Sequence, residues 1–100
     1  MSGTTALVRH RVVNYDAWKT EYDSFAPIQA RNGVRTHQVL RSQENPNDVV
    51  ITHTFDDLGK AKAFFAMPEL KKAMSKAGVQ DDSLKVAFYD EVEAGTLITA

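Results

Sequence analysis

Apolar and polar residues alternate with period two in four stretches of the chain, and two stretches between them repeat at helical spacing, in the order strand, helix, strand, strand, helix, strand. No other feature restricts the fold as much. In the first stretch, ALVRHRVVN over residues 6–14, Val8, His10 and Val12 share one face and Leu7, Arg9, Arg11 and Val13 the other. Asn14 then offers a side-chain oxygen to a helix N-terminus. Trp18, Tyr22 and Phe25 follow at i, i+4 and i+7, within about 60° of one helical face. Lys19, Asp23 and Arg31 fall on the opposite side with Pro27, whose missing N–H bends the helix. Asn32-Gly33 supplies a left-handed exit, so one bent helix is expected over residues 15–32.

Residues 34–42 (VRTHQVLRS) form a second strand, polar enough for a sheet edge. The turn formers ENPND lead into VVITHTF over residues 49–55, giving a hairpin. Asp56-Asp57 place carboxylates at the positive end of the next helix, whose apolar stripe is Leu58, Ala61, Phe64 and Phe65. Met67-Pro68 interrupts it, and a second segment presents Leu70, Ala73, Met74 and Ala77 before Gly78 ends it. KVAFYDEV over residues 85–92 is the fourth strand. The tail 93–100 contains TLIT, a candidate for a further short strand laid on a neighbouring subunit.

The order βαββαβ, without repeats or linkers, predicts an α+β, ferredoxin-like split βαβ domain over residues 1–100: a four-stranded antiparallel sheet with both helices on one face. The other face would carry Leu7, Val13, Val50, Ala87 and Tyr89 beside Arg9, Arg11, Thr52 and Thr54, a mixed surface that a sheet-to-sheet homodimer would cover. A net charge of −1 gives no field for nucleic acid or an anionic membrane, and both are excluded as partners. With no cysteine, thiolate chemistry and Cys-type metal sites are ruled out. The first residues lack an apolar leader and no apolar run approaches membrane-spanning length, so a cytoplasmic protein is expected. Nucleophile elbows, P-loops and dinucleotide fingerprints are missing from the sequence.

The segments VRHRVVNYDAW, VVITHTFDDLGKAKAFFAMPEL and KVAFYDEVE resemble the dimeric α/β-barrel superfamily over nearly the whole chain. That superfamily includes cofactor-independent antibiotic-biosynthesis monooxygenases, polyketide cyclases, muconolactone isomerases, heme-degrading monooxygenases and stress-responsive barrels. The resemblance implies a dimeric barrel with a pocket between sheet and helices, near His10, Ile51, His53, Phe55, Phe64, Val86 and Phe88, roofed by Trp18, Tyr22 and Phe25. Met67 falls at the helix break where related barrels open to solvent. The Tyr and His that carry aldol chemistry in the olivetolic-acid-cyclase type align with Phe64 and Leu70 here. The helix-borne His of the heme-degrading type has no counterpart in either helix. His10 alone is shared with the cyclase-like pattern.

The strand faces put His10 and His53 on the same side of neighbouring strands, where they are expected to act together: a neutral imidazole beside an apolar pocket takes a proton from a phenol or activated methylene, and a second polarises the carbonyl. His10 is the expected base, with His53 and Tyr22 as orienting groups. Trp18, Phe25, Ile51, Phe55, Phe64, Met67, Val86 and Phe88 are the expected substrate-binding residues. Two histidines without a third ligand do not make a zinc site, so neither metal nor organic cofactor is expected. The ligand class is a small aromatic or polyketide-like molecule, and the reaction a cyclisation, isomerisation or cofactor-free oxygenation. The alternative is a non-catalytic, stress-responsive or ligand-binding barrel whose histidines are structural.

Overall fold

The computed structural model describes residues 3–98, and the alternation read in the sequence is plainest in the two inner strands. In β1 (Thr4–Arg11) Thr4, Ala6, Val8 and His10 are buried while Arg9 and Arg11 are exposed. In β3 (Asp48–Phe55) Val49, Ile51, His53 and Phe55 are buried. The strands run antiparallel with Val8 opposite Ile51, so both apolar sets face the same side. Adding β2 (Thr36–Arg41) and β4 (Lys85–Asp90) gives the order β2-β3-β1-β4, antiparallel throughout. This is the expected ferredoxin-like α+β fold, with the polar second strand at an edge.

The first helical layer departs from expectation. In place of one bent helix over 15–32 there are two, α1 (Tyr15–Ser24) and α2 (Ala26–Arg31), meeting at Phe25. Pro27 has no N–H to continue the ladder, so Phe25 ends α1 by donating to the Glu21 and Tyr22 carbonyls and starts α2 by accepting from Ile28 and Gln29. Trp18 and Phe25 nevertheless remain buried, because the break falls at the end of the aromatic stripe. The Asn14 cap forms as expected, accepting from the Ala17 amide at 2.9 Å.

The second layer, α3 (Leu58–Phe65) and α4 (Pro68–Lys76), divides at Met67-Pro68 as the sequence suggests. Of the two aspartates only Asp57 caps α3, accepting from the Lys60 amide at 2.8 Å. Asp56 instead bridges Arg35 at 2.7 Å and Lys60 at 3.3 Å, fastening the chain just ahead of β2 to α3. Gly33 and Gly78, with φ of 96° and 83°, make the two left-handed exits.

All helices lie on one face of the sheet. The opposite face exposes Leu40 and Tyr89 by 47% and 55%, beside half-buried Leu7, Val50 and Ala87, with Arg9 tied to Asp48 at 3.1 Å. The fourth strand stops at Asp90, and residues 91–98 form no strand within their own chain, leaving Val92, Leu97 and Ile98 exposed. Thr99 of the TLIT segment and Ala100 lie outside the described residues.

Candidate functional site

The inward faces of β1 and β3 supply a floor of Val8, His10, Ile51 and His53 beneath a wall of aromatic side chains from α1. Trp18 and Tyr22 are one helical turn apart and stack at 4.9 Å between ring centroids, with Trp18 edge-on to His10 at 5.6 Å. Phe25 and Phe64 close one end, and Phe65, Leu70 and Met74 cover the cavity from α3 and α4. The cavity is partly open, with a volume of about 50 Å³, and its lining is apolar except for His10, Glu21, Tyr22, Gln29 and His53. Glu21 bridges to Lys76 at 3.6 Å, joining α1 to α4 at the seam above the cavity.

His10, Trp18, Tyr22, Phe25, Ile51, His53 and Phe64 are thus brought to one cavity, whereas Phe55, Met67, Val86 and Phe88 do not line it. The cavity lies over β1 and β3, while Val86 and Phe88 belong to edge strand β4. Phe88 packs on the outer side of Phe65 at 5.9 Å. Phe55 is buried against Phe64 and Phe65, and Met67 packs with the same cluster at the α3–α4 break.

The two histidines share a face as predicted, yet they do not converge on one atom. His10 is opposite Val49 and His53 opposite Ala6, four residues apart on each strand, so about 13 Å of strand separates them at roughly 3.3 Å per residue. They mark opposite ends of the cavity floor. His10 is 3% and His53 4% exposed, and in both the Nδ1 atom is buried without a hydrogen-bond partner.

Burial lowers both imidazoles toward the neutral form. For His10 desolvation outweighs the opposing pull of its own backbone and of Asp48. His53 is pushed down to about 4, by burial first and then by the neighbouring His37. Tyr22 is pushed up to about 12, chiefly by burial, with the Gln29 side chain opposing the rise and Asp23 adding to it. At neutral pH the site is therefore two uncharged imidazoles and an intact phenol.

The Tyr22 hydroxyl lies 3.0 Å from His53 Nε2 and 2.9 Å from His37 Nδ1. His37, Gln29 and Glu21 also reach the site, and none of them is among the residues expected there. A signal for His37 was present: the hairpin about Asn45 pairs His37 directly with His53. Gln29 also had a signal, since at i+11 from Trp18 it continues the stripe of Trp18, Tyr22 and Phe25 on the helix expected over residues 15–32, but as a polar residue it does not count with the aromatics. Among the described residues no group of three or more His, Cys, Asp or Glu side chains is placed to hold a metal ion, and no helix is long and apolar enough to cross a membrane.

The antibiotic biosynthesis monooxygenase family profile matches residues 14–76, from the α1 cap to the end of α4. No curated protein matches the chain by sequence. Among solved structures, SnoaB from Streptomyces nogalater, described as a cofactor-independent oxygenase, shares 17% identity with a TM-score of 0.70, covering 97% of this chain and 98% of its own. A proposed antibiotic biosynthesis monooxygenase from Bordetella bronchiseptica superposes at a TM-score of 0.79 with 11% identity, covering 93% of this chain and all of its own. Another from Deinococcus radiodurans gives 0.72 with 19% identity over 96% of this chain and 99% of its own. At these identities the likeness is one of fold.

Proposed function

Because the chain belongs to the antibiotic biosynthesis monooxygenase family, we propose that its cavity binds a small aromatic or polyketide-type molecule and starts its transformation by removing a proton with a neutral imidazole. The supporting observation is the pair of buried Nδ1 atoms without partners in an otherwise apolar cavity. An unpaired buried polar atom costs about 1–3 kcal/mol, and a ligand's hydroxyl or carbonyl would supply the missing partner. His53 carries the base role in place of His10, because Tyr22 holds its Nε2 and fixes the ring with Nδ1 free. His10, at the far end of the floor, receives a second polar group of the ligand, and Trp18, Tyr22 and Phe25 stack on its rings.

Proton removal from a phenol or from a methylene between two aromatic rings leaves an electron-rich anion that reacts with O₂ directly. A CH₂ group plus O₂ then gives C=O plus water, the methylene supplying both hydrogens and all four electrons, so no cofactor is required. Cyclisation or isomerisation would begin with the same proton transfer. A ligand of two or three fused rings exceeds about 50 Å³, so its binding widens the cavity, with α4 moving from α1 where half-buried Glu21 meets Lys76. The protein works as a homodimer, with the open sheet face and the apolar tail 91–98 covered by a second copy.

Thermal shift with phenolic polycyclic ketones tests the reading. A ligand at 100 times its Kd adds about 2.7 kcal/mol, several degrees in Tm for a domain this size. The shift should shrink in His53→Ala and His10→Ala. An unchanged shift in both variants would place the ligand elsewhere, and no shift with any of them would favour histidines that serve structure alone.

A further inference from the structure

Tyr22 touches a buried imidazole and an exposed one with a single hydroxyl. His53 is 4% exposed and lines the cavity, while His37 stands on the edge strand β2, exposed to solvent. The two are direct cross-strand partners, and Tyr22 reaches across from α1 to His53 Nε2 at 3.0 Å and His37 Nδ1 at 2.9 Å. The phenol and the two rings are nearly parallel, at 20° and 16°.

A phenol has one proton to give. It donates to one imidazole, and the other must donate to it. If His37 is an imidazolium, both of its nitrogens carry hydrogen and it can only donate. Tyr22 then donates to His53 Nε2, which forces the His53 proton onto Nδ1. If His37 is neutral, the opposite order is open: His53 donates from Nε2 to Tyr22, Tyr22 donates to His37, and His53 Nδ1 keeps a bare lone pair. That order also avoids burying an N–H donor with no acceptor, since His53 Nδ1 has no partner in the protein.

We infer that His37, Tyr22 and His53 form a tautomer relay, in which the protonation of the exposed His37 decides which nitrogen of the buried His53 carries hydrogen, and through which a proton taken from a ligand leaves the cavity. It rests on the proposed role of His53 and adds His37 as a positioning residue that never touches the ligand. The transfer balances. A ligand proton binds His53 Nδ1, the Nε2 proton passes to the Tyr22 oxygen, the Tyr22 hydroxyl proton passes to His37 Nδ1, and His37 releases its Nε2 proton to water. No electron moves, and the reverse sequence returns a proton.

Few charges disturb this chain. On β2 Arg41 lies over the Tyr15 ring, and just ahead of the strand Arg35 is held by Asp56. On α1 Lys19 pairs with Asp23, and Glu21 with Lys76. From β3 the facing titratable group is His53 itself. Among the described residues neither His37 nor His53 is in an ion pair, and the hydrogen-bonded connection between them runs through Tyr22.

Long-range ¹H–¹⁵N correlation spectra of the ¹⁵N-histidine-labelled full chain, followed through the titration of His37, test this without any substrate. The His53 Nδ1 and Nε2 resonances should exchange their protonated and unprotonated positions with the midpoint of His37, and the exchange should vanish in Tyr22→Phe and in His37→Gln. An unchanged His53 tautomer across the titration would overturn the relay. So would an exchange that persists in a folded Tyr22→Phe protein. Because the readout needs no turnover, the relay stands or falls separately from the enzyme reading.

Discussion

A buried neutral histidine leaves a signature in stability. His53 is held near 4 in the folded chain against an ordinary value of 6.5, so the unfolded chain takes up the proton first as pH falls. Its contribution is present in full above 6.5 and is lost toward 4, about 1.36 kcal/mol per unit and about 3 kcal/mol in all. His10, lowered in the same direction, adds to the loss. Urea denaturation at fixed protein concentration should show stability falling through this window, and His53→Gln, which does not titrate, should flatten it; an equal slope in the variant would contradict the assignment. Tyr22→Phe removes the partner of His53 Nε2 and should cost about 1–3 kcal/mol by the same measurement, while Trp18 keeps its stacking contact. At this scale the sequence was informative about residue type and face but silent about distance. His10 and His53 read as neighbours because alternation gives the side of a sheet, whereas their separation depends on the register of β1 against β3, which no turn sets because α1, α2 and β2 lie between the two strands.

Single residues set where the elements begin and end. Asn14→Ala should cost about 1 kcal/mol, because the Ala17 amide loses its acceptor at 2.9 Å. Asp56→Ala, one residue before the true cap, should leave the denaturation midpoint almost unchanged, since it removes only exposed ion pairs with Arg35 and Lys60. Denaturant midpoints for the two variants give the comparison, and equal losses would mean that Asp56 does more than its exposed pairs suggest. Both helix starts and both glycine exits were legible, because capping chemistry and left-handed φ belong to a few residue types. The break at Phe25 was not. Pro27 announces a defect, but a bend and a full division use the same residue, and packing of Phe25 against Phe64 at 6.5 Å accompanies the division.

For the whole molecule the order of patterned segments was enough for the topology, since a βαββαβ chain has few ways to cover a sheet on one side. The uncovered face is where a second copy is expected. Light scattering at micromolar concentration should give the dimer mass, and Leu40→Asp, which places a charge on that face, should shift it to the monomer; a monomeric wild type would remove the interface. Cavity volume was beyond the sequence, because it depends on how closely α4 settles over α1. That closeness is also what a ligand must overcome. Oxygen uptake with a phenolic polycyclic ketone bearing an activated methylene, with no added cofactor, is the most direct test that this cavity performs proton-initiated chemistry. One O₂ should be consumed per substrate, with the rate falling about 10²-fold or more in His53→Ala. Uptake that matches a protein-free control, or is unaffected by His53→Ala, would contradict it.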